Sequence, residues 1–333
     1  MNMTPRLKHR FCKDANLPIN IYEEPFFTKR LELFDPFFGT LEKWDVFQKD
    51  LEEAGFENEE AYFEEYNRIK EAAITSIKES KTYQQFISCD FNNLGIVTPQ
   101  LPYSTNLYKP ENAGRCFVSI DMKKANFTCL KEYEKRFCEE QGNIFNGADT
   151  WEGFISQFTG MKHIIQSKYI RQVIMGALNP KRQATFEKYL MYTYFEELKD
   201  LIEHYELEVA SFTNDEIVLA GRYVYLAAFS GSDVFVNFVA RHKKEVLRYE
   251  EFRLDQELNG IGWNKMIYHP IQDNRLYFDE YKCVDAINYP FVLRHALREP
   301  VQWADKVFFH EGKLAMLLEE PKIKWLSEND WMR

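Results

Sequence analysis

Residues 115–127 read RCFVSIDMKKANF, and residues 206–221 read ELEVASFTNDEIVLAG. The first begins with a short apolar run, Arg115–Asp121, that reads as a buried strand; a helical pattern, MKKANFTCLKEYEKRFCEEQ, follows Asp121 directly. The second reads as two strands, Glu206–Ser211 and Ile217–Ala220, around the turn Phe212-Thr213-Asn214-Asp215, because Asn and Asp favour turns. Between them a long helix is expected from about Arg182 to Tyr205. Its Phe186, Leu190, Tyr194, Leu198 and Ile202 repeat at four-residue steps as a core-facing stripe. Strand, helix, long helix and hairpin in this order describe an antiparallel sheet with packed helices, so the expected fold class is α+β.

Outward from this centre, residues 1–100 read as a helical N-terminal region. Residues 17–40, rich in Phe and Pro, are expected to be extended, and Leu41–Lys81 to form two acidic helices separated at Gly55. The Glu run Glu57, Glu59, Glu60, Glu64 and Glu65 reads as a solvated helix face. Residues 88–114 hold Asn92, Asn93, Gly95, three prolines and Gly114, and read as loop and domain boundary. A central domain is expected over 101–250, with a short helical insertion at about 150–182, and a C-terminal α/β appendage over 251–333. Tyr223–Phe229 and Val234–Ala240 read as further strands, the latter running into Arg241-His242-Lys243-Lys244. Lys306–Phe309 and Lys313–Leu318 read as a hairpin around Glu311-Gly312.

Composition narrows the function. With 333 residues, 45% of them apolar, and 28 Phe and 19 Tyr, the chain can bury a core and is not a disordered protein. Its longest uncharged runs fall short of the ~20 apolar residues of a membrane helix. Met1–Asn16 lacks the apolar stretch of a signal peptide. Six widely spaced cysteines without a CxxC pair read as reduced, packed thiols, so a cytoplasmic or nuclear protein without a membrane partner is expected. A net charge of −10 argues against coating nucleic acid by charge alone, yet leaves room for a local basic channel. The histidines lack zinc-ligand spacing, and neither a G-x-S-x-G elbow nor a glycine-rich phosphate loop occurs.

The chemistry then rests on carboxylates. Two Mg²⁺ ions about 3.5–4 Å apart can be bridged by carboxylates from different strands, which activates phosphoryl transfer. Asp121 at a strand end and Asp215 with Glu216 in a hairpin turn supply such groups. The basic stretch 167–183, SKYIRQVIMGALNPKRQ, supplies cations for a triphosphate.

This ordered set resembles the palm of template-dependent nucleic-acid polymerases. Asp121 with Ala125 and Phe127 resembles the D-x-x-x-A-x-F motif of reverse transcriptases. TNDEIVL resembles the V-H-D-E-[LI]-V motif of DNA polymerase I-type enzymes. The resemblance covers residues 115–221, about a third of the chain. It implies a palm-like sheet domain and a nucleotidyltransferase using Mg²⁺ or Mn²⁺. Asp121 and Asp215 would hold the metals together with the Met122 carbonyl, and Glu216 would be a secondary carboxylate. Lys168, Arg171, Lys181 and Arg182 would contact the triphosphate, and Asn126 would stand where the sugar is tested. Nucleoside triphosphates and nucleic acid are the implied partners, with Arg241, Lys243 and Lys244 on the nucleic-acid backbone.

Other readings of the same residues stay open. Asp121 could be a helix N-cap, Asp215 and Glu216 plain turn residues, and the lysines and arginines a solvated helix face. Tyr83, Phe86, Phe91, Tyr103 and Tyr108 could stack bases, but read better as packing. A nucleotide cyclase also places Asp-Glu in a hairpin turn. A scaffold protein would use the acidic helices 41–81 and the Phe-rich segment 17–40 to bind a protein partner.

Overall fold

The computed structural model describes residues 2–97, 107–139, 143–242, 246–258, 264–270, 280–282, 284–319, 322–327 and 330. In chain order the elements are α1 (Pro5–Asp14), α2 (Phe26–Phe38), α3 (Thr40–Ala54), α4 (Glu59–Glu79), α5 (Lys81–Ser88), β1 (Cys116–Met122), α6 (Ala125–Phe137), α7 (Trp151–Ile155), α8 (Lys162–Ile165), α9 (Lys168–Gly176), α10 (Pro180–His204), β2 (Glu208–Phe212), β3 (Glu216–Gly221), α11 (Tyr223–Gly231), α12 (Asp233–His242), β4 (Leu247–Leu258), β5 (Asn264–Pro270), β6 (Glu280–Lys282), α13 (Tyr289–Ala296), β7 (Val307–His310), β8 (Lys313–Glu319) and β9 (Lys322–Trp325). The chain is α+β. Two compact units share it, and each is assembled from separated segments: residues 1–69, 159–171 and 283–333 form one, residues 70–158 and 172–282 the other.

The second unit carries an antiparallel sheet in the order β2-β3-β1-β4-β5-β6. Side chains alternate across a strand, so each central strand divides its residues between two faces. On one face Val118 and Ile120 of β1, Ile217 and Leu219 of β3 and Leu247 of β4 are buried. Helices α10, α11 and α12 pack here, and the Tyr249 ring of β4 meets Phe235 of α12 at 5.1 Å. The opposite face is divided along the strands. One end is apolar: Phe117, Val218, Ala220, Phe252 and Leu254 form a core cluster closed by Leu107 and Tyr108. The Phe117 and Phe252 rings stack at 5.1 Å. The other end of this face carries Ser119, Asp121, Glu216, Arg248 and Glu250, which the register places side by side.

Local signals explain most of the helices. Asn179 accepts from the Arg182 N–H and Pro180 opens α10, a capped start that lacks one orphan donor. Ser80 and Thr150 cap α5 and α7 in the same way. Gly55 ends α3 at φ 65°, a left-handed position that glycine enters without penalty.

Two expectations are corrected. Residues 26–38 are helical rather than extended. Pro25 stands outside the helix and Pro36 in its last turn, while Phe27, Leu31 and Phe34 bury one stripe at three- and four-residue steps. Tyr223–Phe229 and Val234–Ala240 lie in helices α11 and α12, not strands. Their Val, Tyr and Phe content imitates a strand. Leu226 with Phe229, and Phe235 with Phe238, nonetheless bury at three-residue spacing, and the Ser232 hydroxyl accepts from the Phe235 N–H. No single described helix is long and apolar enough to cross a membrane; α11 and α12 pass that test only together, bent by 61°.

The first unit has an aromatic core. Trp44 packs against Phe11 and Phe27 at 4.8 and 5.1 Å, and Phe47 against the His163 ring at 4.8 Å. His163 is pinned by Asp50 Oδ2 on Nδ1 at 2.7 Å and by the Tyr62 hydroxyl on Nε2 at 3.1 Å. Strands β7, β8 and β9 form a small antiparallel sheet, and β7–β8 is the expected hairpin. The five described cysteines are free thiols.

Candidate active site

The register of β1 and β3 sets two of the predicted carboxylates, Asp121 and Glu216, opposite one another. The Met122 N–H donates to the Asp215 carbonyl at 2.7 Å, one residue beyond that pair. This offset marks Asp121 and Glu216 as a non-hydrogen-bonded pair, the narrow kind in which opposing Cα atoms are about 4.5 Å apart and side chains are closest. Asp121 and Glu216 therefore project together from one face, and the backbone of Asp215 is bonded to the end of β1.

The hairpin turn is built to hold Asp215. The Thr213 hydroxyl donates to Asp215 Oδ1 at 3.1 Å and accepts from the Glu216 N–H at 3.0 Å, and the Thr213 N–H donates to the Glu216 carbonyl at 2.8 Å. Ser119 donates to Glu216 Oε1 at 2.6 Å, which orients that carboxylate from the same face. Asp121 is not a helix cap. It is the penultimate residue of β1, and the residue that precedes α6 is Lys124, at φ 48°. Lys124 Nζ is held by Glu152 Oε1 at 2.7 Å.

Two neighbours of the carboxylates are not apparent in the sequence. Arg248 of β4 is paired with Asp121 in register, and its Nη2 lies 3.6 Å from Asp121 Oδ2. The Asp121 side chain is 27% exposed and that of Arg248 62%. Glu187 of α10 is 9% exposed. Burial pushes its carboxyl up from an ordinary 4.5 to about 7, the Asp215 charge adds to the rise, and a hydrogen bond with Cys129 opposes it. The folded chain thus holds a proton on Glu187 that the unfolded chain has released between pH 4.5 and about 7. Stability from this group is full below pH 4.5, falls as pH rises through that window and is flat above it. Glu187→Gln is expected to remove the slope and to raise stability at pH 8 by roughly 3 kcal/mol or less. Urea unfolding at pH 5 and pH 8 checks this; an unchanged pH slope contradicts it.

The predicted cations are distributed differently. Lys168 and Arg171 belong to the first unit, where Lys168 lines a cavity of ≈ 400 Å³ with Asp14, Lys43 and His163. Lys181 is exposed on α10. Arg182 stacks its guanidinium on Phe91 at 3.7 Å and donates to the Phe86 and Cys89 carbonyls, so it closes the end of α5. Asn126 lies in the first turn of α6, and its carbonyl accepts from the Cys129 thiol at 3.3 Å. Arg241 pairs with Glu197 at 3.2 Å, while Lys243 and Lys244 lie outside the described residues. Tyr83 and Phe86 are buried, which makes them packing residues; Tyr103 is outside the described residues.

Among the described residues no group of three or more His, Cys, Asp or Glu side chains forms a metal cage. Mg²⁺ is held by one or two carboxylates, with waters and substrate phosphates completing its shell. Asp121, Asp215 and Glu216 are the carboxylates here that would have to hold such an ion. No family model, curated protein or solved structure matches the chain.

Proposed function

We propose that the chain is a Mg²⁺-dependent nucleotidyltransferase with a minimal palm-like site, moving a nucleotide from a triphosphate to a 3′-hydroxyl. The observation that carries this reading is the narrow pairing of Asp121 with Glu216, with Asp215 tied to the end of β1 through the Met122 N–H. Carboxylates contributed by two different strands are what a two-metal phosphoryl-transfer site requires.

When bound, the metal ions would lower the pKa of the attacking hydroxyl and neutralise charge on the leaving pyrophosphate. Asp121 and Asp215 would be their ligands. Glu216, oriented by Ser119, would accept a hydrogen bond from the hydroxyl of the primer end. Thr213 would fix the Asp215 carboxylate so that it does not rotate away on ligand exchange.

The test is extension of a labelled primer–template with Mg²⁺ or Mn²⁺, with Asp215→Ala as the control. Extension that disappears in the variant supports the reading. If the wild type is inert, incubation with nucleoside triphosphates alone decides between a cyclase, which yields a cyclic product, and a scaffold, which yields none.

A further inference from the structure

The first unit holds a cavity of ≈ 400 Å³ bounded by α1, α3, α8 and the start of α9, and all of its lining residues belong to that unit. The volume falls in the range of small-molecule sites. Phe11, Asp14 and His163 are buried and form its floor. The polar groups of the floor are already satisfied. Asp14 Oδ1 accepts from the Tyr66 and Ser167 hydroxyls, each at 2.9 Å, and Asp14 Oδ2 accepts from Arg10 Nε at 2.9 Å. Both ring nitrogens of His163 are held, one by Asp50 and one by Tyr62. Recognition therefore falls to the mouth.

Asn16, Lys43, Gln166 and Lys168 line the mouth and are exposed. Among the described residues, none of these four side chains has a hydrogen bond or an ion pair. Two ammonium groups and two amides, drawn from separate segments of the chain, thus bound one space. Glu42 is the acid at the mouth, and the Asp14 charge below is countered by Arg10. Lys43 and Lys168 against Glu42 leave the mouth positive, in a chain whose net charge is −10. Partial burial lowers the pKa of Lys43, with Glu42 opposing, so its ammonium regains from an anion what it has lost from water.

We infer that this cavity binds a small organic oxyanion, a carboxylate or a phosphate carried on an apolar body. Lys43 and Lys168 hold the oxyanion, the Asn16 and Gln166 amides donate to its remaining oxygens, and the apolar body packs on Phe11 and Val46. The site does not rest on the nucleotidyltransferase reading.

Phenyl phosphate and benzoate are the probes and benzylamine the cationic control, each titrated against the full chain by ligand-detected NMR. The wild type should bind at least one of the anions with a Kd of about 1 mM or tighter, and benzylamine at least tenfold more weakly. Tighter phenyl phosphate marks a phosphate ligand, and tighter benzoate a carboxylate. Lys43→Ala and Lys168→Ala change exposed side chains that the fold does not need. Each should weaken the anion about tenfold, as expected for loss of one charge-assisted hydrogen bond. Lys49→Ala removes an exposed lysine of the same helix α3, paired with Asp45 at 2.8 Å, and should leave binding unchanged. The inference is overturned by no binding of either anion at about 10 mM, or by benzylamine binding as well as the anions. It is also overturned if Lys43→Ala and Lys168→Ala lose no more affinity than Lys49→Ala.

Discussion

Asp121→Asn and Asp215→Asn should each lower the rate of primer extension by ~10³-fold or more, because a two-metal site that loses one anionic ligand forfeits several kcal/mol of charge stabilisation in the transition state. The fold should survive both changes. Asp121 gives up its pair with the exposed Arg248 head group, worth about 1 kcal/mol or less. Asn at 215 keeps an acceptor for the Thr213 hydroxyl and relieves the repulsion that helps to push Glu187 up. A melting temperature within a few degrees of wild type, together with the lost activity, is the expected pair of results. A variant that still extends primers at more than a tenth of the wild-type rate removes Asp121 or Asp215 from the chemistry.

The largest effect on stability should come from Arg30, in the first unit. Its guanidinium is 4% exposed and donates to the carbonyls of Ala304, Asp305 and Val307 at 3.1, 3.0 and 2.9 Å. It also faces Asp305 Oδ1 at 3.4 Å, while Arg294 holds Oδ2 at 2.9 Å. Burial lowers its pKa to about 10, so it remains charged at neutral pH. Arg30→Met leaves three carbonyls short of a donor and a 3%-exposed carboxylate with one cation instead of two. Breaking a buried pair from one side costs about 3–5 kcal/mol, a large part of the total for most domains. Arg30→Lys keeps the charge but cannot reach three carbonyls at once, and should lose roughly half as much. Denaturant unfolding checks both; a loss under about 1 kcal/mol for Arg30→Met would show that water replaces the guanidinium at little cost.

The elements that position the candidate site were legible because their signals are local. The apolar run before Asp121 is β1, the turn around Asn214 and Asp215 joins β2 to β3, and the four-residue stripe from Phe186 to Ile202 is the buried side of α10. What was not legible depends on pairing over long distances. Nothing near Arg248 announces that β4 lies beside β1, and that register alone sets it against Asp121. Glu187 sits next to Phe186 on the shoulder of the stripe, and its burial follows from the packing of α10 beside α6, where Cys129 meets it. Helices α11 and α12 were misread because β-branched and aromatic residues fill both; the deciding feature is the three-residue spacing of Leu226 and Phe229, and of Phe235 and Phe238. Arg182 looked like a phosphate ligand by its basic neighbours, whereas its guanidinium is bound to the end of α5.

The central claim is that Asp121 and Asp215 share a divalent metal site, and Mn²⁺ titration followed by electron paramagnetic resonance tests it most directly. The wild type, with a non-hydrolysable nucleoside triphosphate, should take up two Mn²⁺ ions. The Asp121→Asn/Asp215→Asn double variant should take up none at the same concentrations. Uptake of Mn²⁺ by the double variant equal to that of the wild type, or none by the wild type, would contradict the account.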